Sequence, residues 1–150
     1  MRTYLVVIDE TPEAEVALRF AARRAAKTGG SVQILALVPP VEFMGLGDVQ
    51  ATMEEEARQH VEALVESAAG MLSEEQGIHP SVLVQAGDPV PLIRKAIADN
   101  PNVAALVLGA AAIGLPGPLV AHFAGEAGQL PCPVMIVPGG LDHSALDRLS

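Results

Sequence analysis

The chain contains no tryptophan, one tyrosine and three phenylalanines among its 150 residues. That scarcity argues against an aromatic binding platform. The apolar half of the composition is mostly Ala, Val, Leu and Ile, which suits an aliphatic core of helices laid on a sheet. A single cysteine, Cys132, excludes an internal disulfide framework and fits a reducing compartment. Basic residues are scarce as well: nine against 18 acidic ones, for a formal charge of −9. Such a field repels nucleic acid and anionic membranes, so neither is expected as a partner. Long hydrophobic runs are also missing. The apolar run Tyr4–Ile8 stops at Asp9, too early for a signal-peptide core or a membrane span. A cytoplasmic location is the expectation from these absences. The length itself fits one domain with a sizeable core.

What is present alternates. Five short apolar runs are separated by segments of helical periodicity. Residues 4–8 form a continuous, largely β-branched run, as in a parallel strand covered on both faces. Thr11 stands as an N-cap and Pro12 in the first helical turn. Ala14, Ala17, Leu18, Ala21, Ala22 and Ala25 then make a helical stripe that Gly29-Gly30 ends. A second strand over 32–38 ends at Pro39-Pro40, and a loop with Gly45 and Gly47 follows. The spacing of Met53, Ala57, Val61, Leu64, Ala68 and Leu72 predicts one long helix over 49–77. Its Glu54-Glu55-Glu56 reads as a solvated first turn favoured by the helix dipole. A third strand covers 81–85. Gly87-Asp88-Pro89 then starts a helix, with Asp88 as cap and Leu92, Ile93, Ala96 and Ile97 as its buried face. A fourth strand over 104–108 leads into a glycine-containing loop, Gly109 to Gly117. A weaker helix over 118–129, a fifth strand over 133–138 and a polar tail with one short helix complete the chain. The domain is read as residues 1–138 and the tail as 139–150.

This alternation makes the fold class α/β: a single-domain, doubly wound parallel sheet with helices on both faces. Ligands on such sheets bind beyond the carboxyl ends of the strands, at the switch in strand order. The residues to consider are therefore Asp9 to Pro12, Leu37 to Pro40, and Gly109 to Gly117.

Catalytic signatures are missing. There is no Gly-x-Ser-x-Gly elbow, no Gly-Lys-Ser/Thr phosphate loop and no Gly-x-Gly-x-x-Gly turn. His60, His79, His122 and His143 lack metal-ligand spacing, so no metal is expected. Cys132, between two prolines, is expected as a small buried hydrophobe. Arg19, Arg23, Arg24 and Lys27 gather on the first helix. They are read as a solvated face suited to a helix C-terminus, with a docking patch for an acidic partner as the alternative. No enzyme is expected.

Four features carry a family resemblance. They are Val7-Ile8-Asp9 with Thr11 and Ala14; Gly87-Asp88-Pro89; Val107-Leu108-Gly109; and the segment Pro131-Cys132-Pro133-Val134-Met135-Ile136-Val137. In order and spacing the chain resembles the universal stress protein family across nearly its whole length. The resemblance implies a five-stranded sheet in the order 3-2-1-4-5, of the adenine nucleotide alpha hydrolase-like type. It also implies a homodimer formed partly through strand five, with Val134, Met135, Ile136 and Val137 at the interface. The family divides into members that bind ATP and members that do not.

The ATP-binding motif reads Gly, two residues, Gly, nine residues, Gly and then Ser or Thr. Here Gly109 supplies the first position and Ala112 stands at the second. The third Gly and the hydroxyl fall on His122 and Phe123, or on Val120 and Ala121 if the loop is two residues shorter. Hydrogen bonds to charged groups are worth about 1.5–3 kcal/mol each. Losing two or three costs roughly 3–9 kcal/mol, or two to six orders of magnitude in affinity. The resemblance places Asp9 near an adenosine moiety and the Leu37 backbone near its base. Thr11, Gly114 and Gly117 complete the candidate ligand residues. Asp9 is equally well read as a turn carboxylate, and Gly114 and Gly117 as loop punctuation. The expected function is a non-catalytic stress-response or regulatory dimer without a cofactor, open to an unidentified protein partner. The alternative is a sensor that binds an adenine nucleotide, AMP or ATP.

Overall fold

The computed structural model describes residues 1–40 and 47–150. Five strands, β1 (Thr3–Ile8), β2 (Ser31–Val38), β3 (Ser81–Ala86), β4 (Val103–Ala110) and β5 (Val134–Pro138), alternate with α1 (Pro12–Thr28), α2 (Gly47–Gln76), α3 (Pro89–Asp99), α4 (Pro118–Glu126) and α5 (His143–Leu149). All strand pairs are parallel, in the order β3-β2-β1-β4-β5. The switch in direction falls between β1 and β4, as the family resemblance implies.

Period-two alternation divides the core. Tyr4, Val6 and Ile8 face one side with Ala17, Leu18 and Ala21 of α1 and Val61, Val65 and Leu72 of α2. Leu5 and Val7 face the other, against Ile93, Ala96 and Ile97 of α3 and Val120 and Phe123 of α4. Every residue of β1 is buried, which explains its unbroken apolar run. Burying each of these large aliphatic side chains contributes about 1.5–3 kcal/mol.

Local signals act largely as read. The Thr11 hydroxyl caps α1 by accepting from the Ala14 amide at 3.3 Å, and Pro12 opens the helix. Gly29 ends it in a left-handed conformation, with φ 66°. Glu54, Glu55 and Glu56 are exposed, and Cys132 is buried.

Several readings need correction. Gly47 begins α2, while the loop position Gly45 lies outside the described residues. Asp88 sits at the N-cap of α3, but its carboxylate makes no capping hydrogen bond. Leu92 is only partly buried. Gly109 and Ala110 continue β4, because they pair with Val137 and Pro138 of β5. The fourth helix stops at Glu126, and a short 3-10 turn covers Ala127–Gln129.

The largest correction concerns the basic residues of α1, which are not simply a solvated face. Arg23 is only 5% exposed. Its Nε donates to Asp147 at 2.5 Å, and its guanidinium lies 3.7 Å from Glu75 of α2 and 3.3 Å from His143 Nδ1. Arg24 donates to the Ser150 carbonyl, and Lys27 to the Asp147 carbonyl and the Ser150 hydroxyl. Arg19 reaches Glu15 and Glu75. The acidic partner of α1 therefore lies within this chain. The polar tail folds onto α1 as α5, capped by Asp142 and anchored by the buried Leu146.

Candidate functional site

Four cavities touch Asp9: one of about 310 Å³ lies between α1 and α2, and three of about 500, 270 and 90 Å³ lie beyond the carboxyl ends of β1, β2 and β4. The largest is walled by Leu37, Val38, Pro39, Val90, Pro118 and Leu119, with Asp88 and His122 on its lining. The 270 Å³ space lies between Asp9, Glu10, Leu37 and Leu64 of α2. The smallest lies at the loop end, between Asp9, Thr11, Glu13, Gly109 and the Pro116-Gly117-Pro118 turn.

Asp9 is held by its own turn. Its Oδ1 accepts from the Thr11 amide at 2.9 Å and from the Thr11 hydroxyl at 2.5 Å. This is an Asx turn that orients the Thr11 cap. Its Oδ2 accepts no protein hydrogen bond among the described residues and stays available at the junction of the cavities. The turn-forming and ligand-facing readings of Asp9 thus apply to different oxygens of one carboxylate.

Gly109 has a cause of its own. A Cβ there would stand 2.1 Å from the Glu13 carbonyl oxygen, so only glycine lets the end of β4 meet the first turn of α1. Gly139, just past β5, makes a second close approach: a Cβ there would lie 2.6 Å from the Ala110 carbonyl oxygen at the end of β4. Gly117 precedes α4 with φ 117° and Gly114 turns the loop with φ 80°.

The fold brings Asp9, Thr11, Leu37, Gly109 and Gly117 together. Ala112 and Gly114 are exposed on the loop, and neither lines any of the three cavities. Sequence reasoning missed Glu13, Asp88, Leu119 and His122. Asp88 was reachable by applying the strand-end rule to β3, and His122 by its i+3 spacing from Leu119.

His122 is clamped from outside the crevice. Its Nε2 lies 2.6 Å from Glu126, and Arg94 Nε donates to the same carboxylate at 2.7 Å. The Arg94 hydrogen bond, with a further one from His122, holds the Glu126 carboxyl below the usual range despite some desolvation. Burial pushes the Cys132 thiol up, the opposite of what a nucleophile needs. Among the described residues, no group of three His, Cys, Asp or Glu is placed to hold a metal ion.

Val134 and Met135 of β5 are partly buried, on opposite faces of the sheet, and Ile136 is 43% exposed. Val137 turns its side chain into the core, so it can contribute only backbone to an edge contact. Beside this strand the loop tip exposes Ile113 and Leu115 almost completely. From Asn100 to Leu141 the only charged residue is Glu126.

A five-stranded, doubly wound sheet with a crevice at its β1/β4 switch defines an α/β protein with a nucleotide-binding-like fold. The family model "Universal stress protein family" matches residues 1–138, and the chain belongs to that family. No match is found among curated protein sequences. Solved structures share the fold. Universal stress protein UspA from Lactobacillus plantarum aligns with TM-score 0.76 and 16% identity over 91% of this chain and 97% of its own. A universal stress protein family protein from Arabidopsis thaliana, solved with AMP bound, aligns with TM-score 0.56 and 18% identity over 92% of each chain. A universal stress protein in complex with cAMP gives TM-score 0.55 and 17% identity over 91% of this chain and 96% of its own.

Proposed function

We propose that this chain is a non-catalytic regulatory module of its family that works as a cytoplasmic homodimer and does not bind ATP tightly. The observation that carries the reading is the loop end of the crevice. That 90 Å³ space is lined by two acidic residues, Asp9 and Glu13, and by no lysine or arginine. Its glycine, Gly109, is accounted for by packing against Glu13.

The dimer is supported by the distribution of charge. Two copies carrying −9 each repel unless they meet where charge is absent. The edge formed by β5 and the β4–α4 loop is such a place, and it exposes Ile136, Ile113 and Leu115. The opposite edge, β3, is also open but is flanked by the charged helices α2 and α3. An open strand edge with apolar neighbours favours pairing. An unidentified protein partner would then meet the dimer. Light scattering at micromolar concentrations tests the assembly: twice the chain mass is expected, and the mass of one chain overturns it.

A second reading has its own support. Relatives of the same fold are described with AMP and with cAMP, and this crevice keeps a roomy apolar end with Asp9 Oδ2 free. It assigns the crevice to an adenosine ligand with few phosphates. Mass spectrometry of the supernatant after denaturation separates the two readings. Stoichiometric ATP overturns the first, and an AMP-class compound supports the second.

A further inference from the structure

We infer that the crevice takes an uncharged nucleoside, and that each phosphate added to such a ligand weakens its binding. The inference rests on the adenosine reading above and names the ligand class of that site.

Three features of the crevice converge. The first is the balance of hydrogen-bonding groups. Asp9 offers Oδ2, and Asp88 a carboxylate that caps no helix, so the walls present acceptors. A nucleoside answers with donors: ribose hydroxyls and a base amine. A phosphate brings only further acceptors at neutral pH.

The second feature is the donor supply at the loop. The Ala111 amide is already bonded to the Pro116 carbonyl, and the Ala121 amide to the Gly117 carbonyl. Pro118 has no N–H to give. Only the Leu119 and Val120 amides remain in the first turn of α4, and the Thr11 hydroxyl is committed to Asp9.

The third feature is charge and room together. The lining of the three cavities includes Asp9, Glu10, Glu13 and Asp88, with His122 and no lysine or arginine among the described residues. The space narrows from about 500 Å³ at the apolar end to about 90 Å³ at the loop. Like charges held several ångströms apart at a protein surface lower affinity by about tenfold per added charge.

The test is calorimetric titration of the intact chain with adenosine, AMP and ATP, in low salt with EDTA so that no divalent ion masks the phosphates. The expected order is adenosine, then AMP at about tenfold weaker, then ATP weaker still. Glu13→Gln, checked for native circular dichroism, should narrow the gap between adenosine and AMP about threefold. AMP binding as tightly as adenosine, or more tightly, overturns the inference while leaving the adenosine reading in place. If none of the three binds at millimolar concentration, the adenosine reading falls with it. An unchanged gap in Glu13→Gln also counts against the assigned role of the loop-end carboxylates.

Discussion

The two halves of this molecule are held together by different physics. Around α1, α2 and α5, charged side chains join the elements: Arg23 alone connects Glu75, His143 and Asp147. Around β4 and β5, Glu126 is the only charge in the sequence, and contact is made by backbone meeting backbone at Gly109 and Gly139. The charged half relies on interactions that solvent, salt and protons can weaken. The uncharged half relies on steric fit, which those agents barely touch but a single methyl group disrupts. The difference also divides the surfaces. The charged half meets its partners within the chain, whereas the uncharged half leaves apolar side chains and a strand edge open.

Substitutions break this comparison in graded ways. The largest effect is expected from Gly109→Ala. Its methyl would fall 2.1 Å from the Glu13 carbonyl oxygen, a backbone atom that cannot rotate away. The expected loss is about 3 kcal/mol, the upper end for overpacking, read as a fall of roughly 10 °C in Tm. A loss under about 1 kcal/mol would show that α1 and β4 are less tightly apposed. Next comes Ile136→Arg, which places a charge on the uncharged edge. Dimer dissociation is expected to become at least ~10-fold easier, a cost near 1.4 kcal/mol, measured by sedimentation. Val82→Arg on the similarly exposed β3 edge serves as the counterpart and should leave the mass unchanged. If Val82→Arg dissociates the dimer and Ile136→Arg does not, the interface belongs to the other edge.

Much of the fold was legible because its causes are local or periodic. β1 announces itself as a central strand since both of its faces are covered. Thr11-Pro12 marks the start of α1 because a cap and a fixed φ act over one turn. The site was legible in part. Asp9, Thr11, Leu37, Gly109 and Gly117 converge because the strand-end rule depends only on topology. What escaped depends on distant partners. Gly109 reads as a ligand glycine until Glu13, far away in sequence, is seen against it. Arg23 reads as solvated because Asp147 lies in a tail that looks merely polar. Asp88 occupies the predicted cap position, yet its carboxylate makes no cap hydrogen bond and the residue lines the crevice.

The smallest expected effect is also the most selective, because it acts on one half alone. The Arg23 hydrogen bond holds the Asp147 carboxyl below its ordinary range, with Lys27 and His143 adding to the pull. An unperturbed Asp titrates near pH 3.9. Since the folded value lies below that, the α5 contact is fully favoured above about pH 4 and lost as pH falls through the folded pKa. Hydrogen exchange of the 143–149 amides should therefore quicken, relative to intrinsic rates, over that range. The β4 and β5 amides should keep their protection until the whole domain unfolds. Asp147→Asn should loosen α5 already at neutral pH, and 1 M salt should do so more weakly, because Arg23 is shielded while Asp147 is exposed. Leu146 stays buried as an apolar anchor, so a loosened α5 should fray and not detach. Simultaneous loss of protection in both halves would mean that α5 and β5 open as one unit, and the division between charge and steric fit would not extend to their dynamics.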